Sequence, residues 1–192
     1  LNVLQLIAPD MKFLDKSLYP KITIDESIEK KKSPYIDKEL EKIPHNLPLM
    51  LLSISNNRGR SALNIEKYAS VLNKLYKKRK FAVVITSMPE EFKLGQKLAS
   101  LLNMPARAIQ TKDFSTFIVL ANRAHLAFLG DGGVMHIMAA LDKPQVALFG
   151  GTPLVKWKPL SDKALSIFHP NDVKKIEEEE MEKALIDCFD LI

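Results

Sequence analysis

Residues 126–150 read LAFLGDGGVMHIMAALDKPQVALFG, and this stretch constrains the fold more than any other. An apolar run from Leu126 to Leu129 has the length of a buried strand. Gly130 to Gly133 break it, and a helix of small residues begins near Val134. Pro144 closes the connection, and Val146 to Phe149 form a second apolar run ending at Gly150. A strand, a glycine turn, a helix and a second strand make the crossover unit of a parallel sheet, because parallel neighbours need a long connection.

The turn is suited to an anion. Gly132 and Gly133 allow close backbone approach and tolerate positive φ. The helix that follows directs free N–H groups and partial positive charge at the same point, where phosphate is the usual guest. His136 lies one turn into that helix and is placed to face the guest. Asp131 ends the strand, where sheet ligands sit, and its carboxylate suits sugar hydroxyls better than bare phosphate. The same residues also fit a plain structural turn, with Asp131 capping the helix and His136 an ordinary partly buried histidine.

The rest of the chain repeats the pattern. Leu49–Ser53, Phe81–Thr86, Ala106–Ile109 and Ala164–Phe168 are further strand candidates, and Lys21–Ile24 is a shorter one. Asn64 caps a helix whose apolar face is Ile65, Tyr68, Val71, Leu72 and Leu75, spaced three and four apart. Asp113 caps another, to about Arg123, and Asn171 a closing helix from Val173 to about Leu191. Asp25 opens a charged helix through Lys32, which Ser33-Pro34 interrupts before a second polar helix to about Lys42. Leu1 to Ala8, stopped by Pro9, has helical spacing. Roughly six strands alternating with helices make an α/β fold, a doubly wound and mostly parallel sheet. Residues 1–45 read as a leading segment with helices, and 46–192 as the main domain.

Three further loops sit where ligands of such sheets lie. The first, after Leu49–Ser53, holds Asn57, Arg58, Arg60 and Ser61, and arginine forks suit phosphate oxygens. It also fits an ordinary polar surface loop. Glu90 and Glu91 follow Pro89 at the first turn of a helix, where they either offset its dipole or grip a ribose or base. Thr152 and Lys156 follow the strand that ends at Gly150 and can meet a phosphate or a sugar. The lone Trp157 covers the core or stacks on a ligand, and His125 is read as structural.

Composition excludes little. Twenty-eight basic residues against 23 acidic give +5, too small an excess to indicate nucleic acid. One cysteine, Cys188, rules out an internal disulfide. No apolar run reaches the length of about 18 residues that marks a membrane span. No signal peptide is visible, and a chain opening on Leu1 is expected to have its true start upstream. No His, Asp and Cys cluster has ligand spacing, so no metal is expected.

The block from Leu129 to Leu141, then Lys143 to Gly150, with Thr152 and Trp157-Lys158-Pro159 after it, resembles the lipopolysaccharide heptosyltransferases, glycosyltransferase family nine. That family's signature is Asp, Ser or Thr, Gly, two variable residues and His, then small residues, Pro, a strand ending Phe-Gly, and Trp-x-Pro. The resemblance implies the C-terminal half of a GT-B enzyme, a Rossmann-like domain holding a nucleotide-sugar donor, ADP-heptose in most members. Residues 1–20 then cross between the halves. The acceptor, of lipopolysaccharide-core type, and the catalytic carboxylate belong to an N-terminal domain outside this sequence.

The resemblance further implies inverting, metal-independent transfer without a cofactor. It places the enzyme in the cytoplasm, with peripheral contact at the inner face of the plasma membrane. Asp131 matches the aspartate that meets the donor sugar, Gly133 the motif glycine and His136 the histidine near the phosphates. Glu90 or Glu91 takes the place of the acidic residue near the ribose, and Arg58 lies in the loop facing the diphosphate. The chain departs from the family at two points. Gly132 stands for the Ser or Thr, and Ser61 falls where a phosphate-binding lysine is usual, with Arg58 or Arg60 the available substitutes. Two other classes fit these residues. One is a non-catalytic nucleotide-binding or interaction module of the same fold. The other is a surface-binding protein whose attachment to anionic lipid or nucleic acid is salt-sensitive and ignores nucleotide identity.

Overall fold

The computed structural model describes residues 19–56 and 59–192. The helical segment expected at Leu1–Ala8 and the site candidates Asn57 and Arg58 lie outside the described residues. Strands β1 (Leu49–Ser53), β2 (Ala82–Thr86), β3 (Ala106–Ala108), β4 (Leu126–Gly130), β5 (Gln145–Gly150) and β6 (Ala164–His169) form one sheet. Its order is β3-β2-β1-β4-β5-β6 and every pairing is parallel. The chain therefore winds outward from β1 to one edge, returns, and winds outward to the other from β4. That reversal opens a crevice beyond the C-terminal ends of β1 and β4, where ligands of such sheets bind.

The strands read as unbroken apolar runs because both faces are covered. Alternate residues point to opposite sides. Met50, Leu52, Val83, Ile85, Phe128 and Leu148 pack into one core with helices α2 (Ile65–Lys78), α3 (Phe92–Leu101) and α7 (Glu178–Phe189). Leu51, Val84, Ala127, Leu129, Ala147 and Phe149 pack into the other, with α1 (Glu26–Leu40), α4 (Phe114–Arg123) and α5 (Gly133–Ala140). A short helix α6 (Leu154–Trp157) follows β5.

Local chemistry sets the helix starts. Asn64 accepts from the Lys67 N–H at 3.0 Å and Asp113 from the Thr116 N–H at 2.7 Å, each at the expected N-cap. The buried ring of Tyr68 meets Phe128 edge-on at 5.3 Å, and burial pushes its hydroxyl pKa well above the ordinary value. His125 is structural: its Nδ1 accepts from the Leu49 N–H at 3.0 Å, and its own N–H donates to the Leu49 carbonyl at 2.8 Å.

Four expectations change. Ser33-Pro34 does not interrupt the first helix, which runs from Glu26 to Leu40 with Pro34 inside. Tertiary contacts offset the lost hydrogen bond. Ile36 is fully buried, Tyr35 Oη donates to the Gln110 carbonyl at 2.7 Å, and Arg107 clasps Glu39 at 2.9 Å. Lys21–Ile24 is not a strand; it lies across the end of α5, where the Ile22 N–H donates to the Ala140 carbonyl at 2.8 Å. The closing helix is not capped by Asn171 and does not start at Val173. Asp172 caps a single 3-10 turn, Val173–Lys175, and α7 begins at Glu178, held to α2 by Lys74 at 2.8 Å and Ser70 at 2.7 Å. Trp157 is half-exposed and does not seal the core. Among the described residues no helix is long and apolar enough to cross a membrane.

Candidate functional site

The loop after β1 is strapped across the ends of the central strands. Asn56 Nδ2 donates to the Asp131 carbonyl at 2.8 Å and to the Ser61 carbonyl at 3.1 Å. The 3-10 turn Gly59–Ser61 then lies directly on the strand ends. A Cβ added to Gly130 would stand 2.8 Å from the Ser61 carbonyl oxygen, and one added to Gly150 would stand 2.0 Å from that of Arg60. These two glycines are close-approach positions for backbone against backbone. Gly151, with φ at 74°, is the positive-φ glycine among the described residues.

The glycines expected to need conformational freedom do not use it. Gly132 is extended at φ 178°, Gly133 is helical, and a Cβ on either would meet nothing within 4 Å. Their missing side chains leave open space at the start of α5. Gly132 itself holds the N-cap position. Asp131 sits one residue earlier, only 2% exposed, its N–H donating to the Leu148 carbonyl at 2.8 Å.

Beside this turn opens a cleft of about 590 Å³. Its floor is Ser53, Ser55, Asn56 and Thr86 at the ends of β1 and β2; one wall is Asp131, Gly132, Gly133, Val134 and Ile137. The opposite wall is Met88, Pro89, Thr111, Asp113, Phe114 and Phe117. Met88 and Phe114 are exposed, so apolar surface is presented to a ligand rather than to the core. Ser55 Oγ accepts from the Met88 N–H at 2.6 Å and fixes that rim. The Lys32 ammonium, then the Thr116 N–H and hydroxyl, hold the Asp113 carboxyl well below the usual carboxylate range. Among the described residues no Lys or Arg lines the cleft.

Of the residues expected from the sequence, the fold brings Asp131, Gly132 and Gly133 into this cleft. Others lie around it. His136 is exposed on α5, roughly 60° around the helix from Gly133, and is not among the cleft-lining residues. Glu90 is exposed and Glu91 half-buried in the 3-10 turn beyond Pro89. Ser61 is 2% exposed, its carbonyl facing Gly130. The Arg60 guanidinium reaches over Gly151, where Nη1 lies 3.4 Å from an added Cβ, close in sequence to Thr152. Reasoning from sequence missed Thr86, Asp113, Phe114 and Phe117. The signal that found Asp131 applies to them too, since Thr86 ends β2 and Asp113-Phe114 opens α4.

A family model, glycosyltransferase family 9 (heptosyltransferase), matches residues 3–186. The chain belongs to glycosyltransferase family 9. Among solved structures it is similar to the E. coli ADP-heptose LPS heptosyltransferase II, with TM-score 0.73 and 20% identity, over 91% of this chain and 54% of that one. It is also similar to a family 9 glycosyltransferase from Veillonella parvula, with TM-score 0.75 and 15% identity, over 97% and 65%. E. coli heptosyltransferase WaaC, solved with ADP, matches with TM-score 0.67 and 13% identity, over 80% and 48%. The family 9 chain thus spans about half to two thirds of the length of these relatives. No curated protein matches it. The six-stranded parallel sheet is the fold these enzymes share with it.

Proposed function

We propose that this family 9 chain is the donor-binding half of an inverting glycosyltransferase. It moves a sugar, heptose by family likeness, from a nucleoside-diphosphate donor such as ADP-heptose to a lipopolysaccharide-type acceptor. The observation that carries this reading is the cleft at the sheet's switch point. There the N-terminus of α5 opens beside the buried Asp131, opposite an exposed apolar wall. An apolar wall takes a base, a helix N-terminus takes phosphate, and a carboxylate orients sugar hydroxyls. WaaC is a relative solved with ADP and also with ADP-2-deoxy-2-fluoro heptose, which supports this class of ligand.

In this reading the leaving diphosphate is met by the α5 N–H groups. Charge comes from Arg58, outside the described residues, or from Arg60 reaching over Gly151, with His136 at the outer edge. Glu90 or Glu91 approaches the ribose from the rim. Residues 1–45 lead in from an N-terminal half that supplies the acceptor site and the carboxylate base, and 46–192 form the donor domain.

Calorimetric titration with ADP, ADP-heptose, UDP and GDP tests the reading. One nucleotide should bind preferentially, and Asp131→Ala should weaken the sugar nucleotide at least tenfold. Equal, weak binding of all four that survives Asp131→Ala sinks it. A second reading, a nucleotide-binding module without catalysis, draws on the absence of a lining Lys or Arg among the described residues and on the burial of Ser61. It predicts nucleotide binding but no sugar transfer when the chain is joined to a family 9 acceptor half.

A further inference from the structure

Thr86 is the last residue of β2, paired in register with Ser53 of β1. It lines the cleft and is 3% exposed, yet its Oγ1 has no hydrogen-bond partner. Its backbone is accounted for, since its carbonyl accepts from the Ile54 N–H at 3.1 Å. A valine has the same shape and β-branching without the polar atom, so the fold gains nothing visible from the hydroxyl. A buried, unpaired hydroxyl destabilises the chain that carries it. Beside it, Met88, Pro89, Phe114 and Phe117 offer apolar surface, and Met88 and Phe114 are exposed.

A planar ring seated on that wall presents its faces to apolar groups. An edge turned toward the end of β2 meets Thr86, which lines the cleft and whose unpaired hydroxyl is buried there. From the proposed donor site, on which this rests, we infer that Thr86 is a specificity-determining residue: its hydroxyl pairs with the polar edge of the nucleotide's base. A site that pairs a polar atom of its ligand rejects analogues lacking that partner, because the protein group is then left buried and unsatisfied.

The test is titration of the wild-type chain, Thr86→Val and Thr86→Ser with ADP, UDP, GDP and 2′-deoxy-ADP, beside thermal unfolding without ligand. Thr86→Val should weaken the preferred nucleotide about five- to tenfold, the loss of one neutral hydrogen bond. It should narrow the preference among bases, act equally on ADP and 2′-deoxy-ADP, and leave the ligand-free melting temperature unchanged or raised. Thr86→Ser should restore the affinity. Unchanged affinity and base preference in Thr86→Val, while the wild type still binds, overturns the assignment and leaves the donor site standing. An effect on ADP that vanishes with 2′-deoxy-ADP overturns it in favour of a ribose contact. A fall in the ligand-free melting temperature overturns it in favour of a structural role. Wild-type protein that binds none of the nucleotides overturns both this inference and the function it rests on.

Discussion

Gly130 and Gly132 are two residues apart in one turn, yet they do opposite things. A methyl group on Gly130 runs into the Ser61 carbonyl, and one on Gly150 into the Arg60 carbonyl, because the loop from β1 is pressed against the strand ends. A methyl group on Gly132 or Gly133 meets nothing within 4 Å. The first pair is glycine because backbone needs the space. The second pair leaves that space empty, and the empty space opens on the cleft. Crowded glycines are part of the fold, whereas open glycines beside a buried carboxylate line the cleft of the proposed site.

The largest test of this contrast is on the crowded side. Gly150→Ala is expected to destabilise the protein by about 3 kcal/mol or more and Gly130→Ala by about 1–3 kcal/mol, as overpacking against backbone that cannot rotate away. Urea unfolding midpoints measure both, and a Gly150→Ala protein as stable as wild type breaks the contrast. On the open side, Gly132→Ser should stay within about 0.5 kcal/mol of wild type, as a change at a half-buried position with room around it. It also returns a hydroxyl beside the α5 N-terminus, and nucleoside-diphosphate binding should tighten by about 0.5–1.5 kcal/mol. Calorimetry that shows no change there removes Gly132 from the site.

The smallest expected effect concerns the cleft's other wall. The folded-state pKa of Asp113 lies below its unfolded value of about 3.9. Its contribution to stability is therefore present above that value and lost as pH falls through the folded pKa. Asp113→Asn keeps the ability to cap α4 but loses the charge that faces Lys32, so it should lower stability slightly at pH 7 and flatten the further loss below about pH 4. Added salt should shrink the difference, because both Lys32 and Asp113 are partly exposed. An acid limb identical in the two proteins removes the Lys32–Asp113 pair from the account.

Much of the chain was legible because local chemistry and long-range packing agree. Asn64 and Asp113 cap helices in the sequence and in the fold, and the apolar runs became strands since both sheet faces are covered. Pro34 is the instructive miss: its local cost is real, but Ile36, Tyr35 and Glu39 dock the helix firmly enough to carry the proline within it. The basic run Lys77 to Lys80 ends α2, where cations offset the helix dipole. In the fold it also grips α7, with Lys78 at 2.9 Å from Glu182 and Arg79 at 2.6 Å from Asp190.

The sequence by itself determined the fold class, the family and the turn at which a ligand is expected. Strand length, glycine breaks and motif spacing are properties of neighbouring residues, and they survive in one dimension. It also placed Asp131 in that turn, since a strand's C-terminal residue faces the crevice wherever the sheet is parallel. Only the tertiary structure decided which glycines are crowded and which open on the cleft. Only it showed that Ser61 is buried and that Thr86, beside the cleft, carries a buried, unpaired hydroxyl. Each of those depends on what a different strand or loop places within a few ångströms, and the order β3-β2-β1-β4-β5-β6 sets that distance, not the spacing along the chain.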